Sequence, residues 1–285
     1  MINIIEGNNT AKVIIFERLT IKTMENKKLA LITGATGAIG KAIARKVLTT
    51  GDYHVIMVVR NEDKAKKVLV ELLQQTELDT ISYAMVDLSD KKQVYDFTGS
   101  VNGPVHLLIN NAANTPGNRL VTHQGIEIQF ATNVLGYFWM MDAFTPHLKS
   151  AAPSRIVNVA SYWAGGLDLK DLEFRYRHYD NDTAYRQSKQ ANRMLSVAFA
   201  KRLEPFSITV NACHPGDVNS ALSNSMGFGG HETPDQGADT PVWLATSNEV
   251  EGISGKYFEH RKQQVCSFSK DVEQIEKLYE ICKLY

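Results

Sequence analysis

No apolar run in the chain approaches the ~20 residues a bilayer-crossing helix needs, so no membrane span is expected. Charge of neither sign is in excess: Lys+Arg and Asp+Glu stand at 31 each, which argues against a general affinity for nucleic acid or anionic membrane. Cysteine is scarce. Cys213, Cys266 and Cys282 are far apart and lack metal-ligand spacing, so they read as reduced thiols in a cytoplasmic protein. The head of the chain has no secretory pattern, because Val13-Ile14-Ile15-Phe16 is short and flanked by Asn, Glu and Lys. No linker, repeat or composition break follows. The expected organisation is one domain over 29–285, preceded by residues 1–28 as an extension or an extra strand.

What is present is the alternation of strands and helices that gives a doubly wound α/β fold, with a central mostly parallel sheet of about seven strands flanked by helices. Leu29 to Thr33 forms a first strand and runs into Gly34-Ala35-Thr36-Gly37-Ala38-Ile39-Gly40. Ile39, Ile43 and Val47 then recur with a helical period. Strand, glycine turn and helix together aim backbone N–H groups and a positive helix end at a phosphate. A second strand, His54 to Val59, ends in Arg60-Asn61. An acid at that position would suit a ribose 2′-hydroxyl, whereas a base suits a 2′-phosphate, so NADP is expected over NAD.

Glu62 to Gln75 reads as an amphipathic helix and Ile81 to Val86 as a third strand, closing on Asp87-Leu88. Asp87 suits either an adenine amino group or the cap of the next helix. Val105 to Ile109 precedes Asn110-Asn111-Ala112-Ala113, and a long helix is expected from Gln124 to His147. Asn133 interrupts its apolar stripe, and a buried Asn must be satisfied. Arg155 to Ala160 carries Ser161 at its carboxyl end, the edge where open α/β sheets bind ligands. Tyr185 and Lys189, four residues apart on a helix running to Leu203, share one face. An ammonium beside a phenol favours the phenolate and would draw its pKa toward the working range. Ile208 to Cys213 leads into His214-Pro215-Gly216, and Ser220 to Gly237 reads as a mobile flap. A helix over 236–247, a strand over 256–259 and a helix over 269–284 complete the reading.

Thr33-Gly34-x-x-x-x-x-Gly40, Asn110-Asn111-Ala112, Asn133, Ser161, Tyr185-x-x-x-Lys189 and Pro215-Gly216 stand in an order that resembles the short-chain dehydrogenase/reductase superfamily, from about Lys28 onward. The closer likeness is to its retinol dehydrogenase-like group, which includes protochlorophyllide reductase-type enzymes. It rests on the long gap from Ser161 to Tyr185, on Ala184-Tyr185-Arg186-Gln187-Ser188-Lys189-Gln190-Ala191-Asn192, and on Glu251-Gly252-Ile253-Ser254-Gly255-Lys256-Tyr257-Phe258.

The resemblance implies an NADP(H)-dependent oxidoreductase acting on a carbonyl or alcohol. Tyr185 would be its general acid/base, Lys189 would lower the Tyr185 pKa, Ser161 would hold the substrate oxygen, and Asn133 would hold a water. It places Gly34, Thr36, Gly37, Ile39 and Gly40 at the pyrophosphate, Arg60 at the adenosine phosphate, and Asp87 and Leu88 at the adenine. Asn111 would lie along the cofactor, with Pro215, Gly216, Val218 and Ser220 toward the nicotinamide. Ala38 replaces a glycine of the family turn, and Ala113 replaces the usual Gly after Asn-Asn-Ala; affinity rather than chemistry is expected to feel both. Trp163, Phe174, Tyr176, Met226 and Phe228 are candidate walls for a lipophilic substrate. In many relatives the helices beginning near Gln124 and Ala184 pair subunits, although this subgroup is less uniform, so the resemblance makes a homodimer a candidate and leaves the oligomeric state open. A nucleotide-binding sensor or scaffold without turnover is the alternative.

Overall fold

The computed structural model describes residues 2–6, 12–16 and 27–285. The first two segments are strands β1 (Ile2–Glu6) and β2 (Lys12–Phe16); the rest of the first 26 residues, including Met24, lies outside the described residues. Short aliphatic runs form β3 (Lys28–Thr33), β4 (Tyr53–Val59), β5 (Ile81–Met85), β6 (Leu107–Asn110), β7 (Ser154–Val159), β8 (Ile208–His214) and β9 (Tyr257–Glu259). These strands are near-continuously apolar because helices cover both faces of the sheet; every residue of β4 is buried.

They lie in the order β5-β4-β3-β6-β7-β8-β9, each neighbouring pair parallel. This parallel block is the expected sheet. Antiparallel strands extend its two edges: β2 lies on β5 and β1 on β2, while β10 (Lys262–Gln264) folds back on β9. No apolar run marks β10, whose residues are polar and exposed on an edge.

Eight helices flank the sheet among the described residues: α1 (Ala38–Leu48), α2 (Glu62–Thr76), α3 (Lys91–Ser100), α4 (Gly136–Ser150), α5 (Asn181–Leu203), α6 (Ala221–Ser225), α7 (Pro234–Thr246) and α8 (Val272–Leu284). On one face Ile43 and Val47 of α1, Leu69 and Leu72 of α2 and Leu244 of α7 share a core. On the other, Phe97 of α3, Phe144 of α4, Phe199 of α5 and Leu278 of α8 share a second. Helix starts follow side-chain caps: Asn61 accepts from Lys64 N–H, Asp90 from Lys92 N–H and Asp180 from Thr183 N–H. Each such cap contributes ~1 kcal/mol.

Helix α8 lies on α5, with the Tyr279 ring 5.2 Å from Phe138 and 5.3 Å from Phe199. At its end Tyr285 donates to the buried Glu173 at 2.7 Å.

Two expectations need correction. The long helix does not begin at Gln124. Thr122 N–H donates to the Ile126 carbonyl at 2.8 Å, Gly125 takes φ +80°, and Val121 pairs antiparallel with Glu127. The buried Glu127 carboxylate then accepts from Gln129 and Phe130 N–H and so starts the helix. Its first turns, Phe130–Leu135, are π-helical, a rare form that gathers at functional sites. The second correction concerns Phe174, which is buried edge-on against Tyr179 at 5.4 Å and packs into the interior instead of facing a ligand cleft.

Sheet order reverses between β3 and β6, which sit side by side although α1, α2 and α3 separate them in sequence. A crevice opens at the carboxyl ends of strands at such a point.

Candidate active site

Beyond β3 the chain turns sharply at Gly34, φ +65°. A Cβ there would lie 2.7 Å from the Ala112 Cα, and one on Gly40 would lie 2.6 Å from Asn111 Nδ2 and run into the Gly34 carbonyl. Only glycine fits these two positions. Gly37, by contrast, has φ −79° and nothing nearer than 3.4 Å. Asn111 Nδ2 donates to the Thr33 carbonyl at 2.9 Å, and Thr33 Oγ1 accepts from Asn111 and Ala112 N–H at 2.8 and 3.0 Å. The carboxyl ends of β3 and β6 are thereby tied together. The first turn of α1 carries neither a side-chain cap nor an acidic residue, so its N–H groups and positive end face the crevice.

A cleft of about 670 Å³ occupies this crevice. Gly34, Thr36, Gly37, Ile39 and Gly40 line it at the turn, with Ala38 among them; Asn111 lines its floor and Ser220 its far side. Asp87 and Leu88 lie at its β5 end. Asp87 does not cap α3, whose cap is Asp90; its Oδ1 accepts instead from Ser89 N–H and Oγ. Arg60 lines the same end together with Lys64, and neither has a carboxylate partner among the described residues. The sequence does not single out Lys64, because on a charged helix it looks like any solvated lysine; its place in the first turn of α2, just beyond the end of β4, is the available signal.

Ser161, Tyr185 and Lys189 come together outside this lining; Asn133, Pro215, Gly216 and Val218 are not part of it either. Ser161 is buried at the end of β7, and its hydroxyl faces the Tyr185 phenol and favours the phenolate. Trp163 N–H donates to Ser161 Oγ at 3.1 Å. Lys189, also buried, donates to the Val159 carbonyl at 3.0 Å, with its nitrogen 5.5 Å from the Tyr185 ring centre. Burial pushes Tyr185 up to about 12 and Lys189 down to about 8. The expected lowering of the phenol by the ammonium is therefore outweighed, because desolvation disfavours both charged forms.

Asn133 uses its amide on the Asn114 backbone, accepting from N–H at 2.9 Å and donating to the carbonyl at 3.0 Å. At the other side, Gly216 (φ +106°) packs beneath the Glu232 carboxylate, and Val218 is buried and paired with Glu232.

The flap closes over this end. Its short α6 begins with a Ser220–Ser223 capping box, and Ser225 Oγ lies 3.2 Å from Thr115 Oγ1 across the cleft. Phe228 meets Trp163 edge-on at 4.8 Å, and Trp163 lies 6.1 Å from Tyr185. Met226 ends α6 half-buried, and Tyr176 is turned to solvent. Of the five candidate walls, only Trp163 and Phe228 stand near the phenol.

The family model described as "short chain dehydrogenase" matches residues 28–227. The chain belongs to the short-chain dehydrogenase family. It is 31% identical to retinol dehydrogenase 13 of Mus musculus over 268 residues, covering 87% of this chain and 80% of that one. To retinol dehydrogenase 14 of Homo sapiens it is 32% identical over 289 residues, covering 90% and 85%. It therefore falls in the retinol dehydrogenase-like group. Among solved structures, an uncharacterized protein from Mycobacterium Paratuberculosis aligns with TM-score 0.74 and 26% identity, over 92% of this chain and 96% of that one. The 3-ketoacyl-(acyl-carrier-protein) reductase from Brucella melitensis, complexed with NADH, aligns with TM-score 0.62 and 25% identity, over 81% and 95%. An oxidoreductase using a nicotinamide dinucleotide is the class these likenesses define. No described helix is long and apolar enough to cross a membrane.

Proposed function

We propose that the chain is an NADP(H)-preferring oxidoreductase that interconverts a lipophilic carbonyl compound and its alcohol, with Tyr185 as the proton donor and acceptor. The observation that carries this reading is the convergence of Ser161, Tyr185 and Lys189, together with a separate cleft at the turn after β3 that Arg60 and Lys64 line without a carboxylate partner among the described residues.

The residues present fit such a cofactor. Gly34 and Gly40 leave a cradle that any Cβ would fill, and the uncapped start of α1 offers N–H groups to a pyrophosphate. Thr36, Gly37 and Ile39 would complete that turn. Arg60 and Lys64 would take the 2′-phosphate, and Asp87 and Leu88 the adenine. Asn111, Pro215, Gly216, Val218 and Ser220 would follow the cofactor toward its reactive end. When bound, the nicotinamide gives or takes the hydride.

The chain's own residues handle the proton. Ser161 Oγ holds the substrate oxygen and stabilises charge developing on it. Tyr185 Oη donates to that oxygen during reduction and accepts from it during oxidation. Burial keeps the phenol protonated at neutral pH, the form that donates during reduction. Lys189, the buried cation beside it, favours the phenolate that remains. Asn133 holds the Asn114 loop and with it a water near Lys189. Trp163 and Phe228 exclude bulk water from the phenol and present an apolar face to substrate.

Residues 29–285 act as one catalytic unit, in the cytoplasm. The test is a thermal-shift comparison of NADPH and NADH at matched concentration, followed by a screen of lipophilic carbonyls with the preferred one. Stabilisation by NADPH beyond NADH, with consumption of NADPH, supports the reading. Binding without turnover of any carbonyl would leave a sensor or scaffold.

A further inference from the structure

Beneath Tyr185 lies a second phenol with no part in the chemistry above. Tyr137, in the first turn of α4, is buried in the core. Its hydroxyl donates to the Val159 carbonyl at 3.2 Å, the same oxygen that accepts from Lys189 Nζ at 3.0 Å. The lysine nitrogen stands 5.7 Å from the Tyr137 ring centre and 5.5 Å from that of Tyr185, so the ammonium is held between two phenol rings.

We propose that Tyr137 is a positioning residue for the proton chemistry of the site: by sharing the Val159 carbonyl it sets how firmly Lys189 is anchored there, and through Lys189 it tunes Tyr185. The inference rests on the reading of Tyr185 and Lys189 given above.

A carbonyl that already accepts from a hydroxyl offers less electron density to a second donor. In a buried site, where hydrogen bonds are electrostatically strong, this competition matters more than in water. Removing the Tyr137 hydroxyl leaves the carbonyl to Lys189 alone, which favours the ammonium and fixes it on β7. The other titratable groups facing this cluster are Tyr185 on α5, Cys213 on β8 and Tyr162 just after β7. Burial raises the Cys213 thiol, so it stays neutral and does not supply the missing counter-charge. Among the described residues, Lys189 has no carboxylate partner either. The polar environment of this lysine is thus set by neutral groups, and the Tyr137 hydroxyl shares its anchor.

The test compares wild type with Tyr137→Phe, which removes one hydroxyl and keeps the ring. Titration of the Lys189 side chain by NMR, in protein carrying ¹³C-labelled lysine and with Lys189→Arg for assignment, reads the anchor directly. The Lys189 midpoint, which burial lowers to about 8, is expected to rise by ~0.5 unit or more in the variant. In turnover, the alkaline limb set by loss of the Lys189 charge moves up with it. KM for NADPH and the melting shift it produces stay unchanged. Coincident lysine titrations, or a lowered Tm with an unmoved pH profile, would overturn the proposal and leave Tyr137 a packing residue. Failure of wild type to turn over any carbonyl would instead count against the function proposed above, and the lysine titration would still decide the role of Tyr137.

Discussion

Asn133 closes both backbone groups of Asn114 with a single amide, its Oδ1 accepting the N–H at 2.9 Å and its Nδ2 donating to the carbonyl at 3.0 Å. The pair staples the π-helical turn to the loop leaving β6, where Ala112, Ala113 and Asn114 line the cleft. Asn133→Ala leaves two backbone groups without that partner, and each unsatisfied buried group costs ~1–3 kcal/mol. Urea unfolding is expected to show a loss on the order of 2–4 kcal/mol. A variant of unchanged stability would show that the amide does not hold the loop.

The glycines of the turn are not equivalent. Gly40→Ala drives a methyl into the Gly34 carbonyl and Asn111, so stabilisation by NADPH should be lost or greatly reduced. Gly37→Ala meets only ordinary contact at 3.4 Å, with φ already negative, and should keep most of it. Equal losses in the two variants would show that the turn tightens further on binding.

The two cations at the β4 end should act on one phosphate. Arg60→Ala and Lys64→Ala are each expected to raise KM for NADPH several-fold with little change for NADH, and the double variant should abolish the preference. Parallel changes for both cofactors, measured by steady-state kinetics, would remove these residues from 2′-phosphate recognition.

Two buried histidines make the fold acid-sensitive. Burial lowers His54 to about 4 and His214 to about 3. Because both folded values lie below the unfolded one near 6.5, the unfolded chain binds more protons below that pH. Stability is then complete above pH 6.5 and falls progressively toward pH 4. At pH 5 the loss is about 2 kcal/mol for each histidine. His54→Gln keeps a partner for Ser82, which bonds His54 Nε2 at 2.9 Å, and should flatten part of the decline in Tm. An acid limb of the same depth in that variant would contradict the assignment.

Much of this site was legible in the sequence, because its chemistry sits at strand ends that aliphatic runs mark clearly. Thr33-Gly34, Arg60, Asp87, Asn111 and Ser161 all follow such runs, and the parallel block brings those ends to one edge. The start of the long helix was misread because Ile126 fits the helical period that Phe130 and Val134 continue. Gly125 in a left-handed turn and the Glu127 carboxylate, both local, override that period. The acidity of Tyr185 was misjudged for a different reason: spacing brings Lys189 to the right face but says nothing of burial, which governs both groups. The contact of Phe228 with Trp163 joins segments far apart in sequence, and no periodicity announces it.

The account turns on Tyr185, and replacing it by Phe removes one hydroxyl while leaving the ring beside Trp163. The decisive measurement is NADPH consumption with a lipophilic aldehyde by wild type and Tyr185→Phe, with the NADPH-induced melting shift recorded on the same samples. Turnover should fall at least a hundredfold, consistent with the ~10²–10⁴ typical of general acid–base catalysis, while the melting shift persists. Comparable turnover in the variant would contradict the account, because the proton would then come from another group.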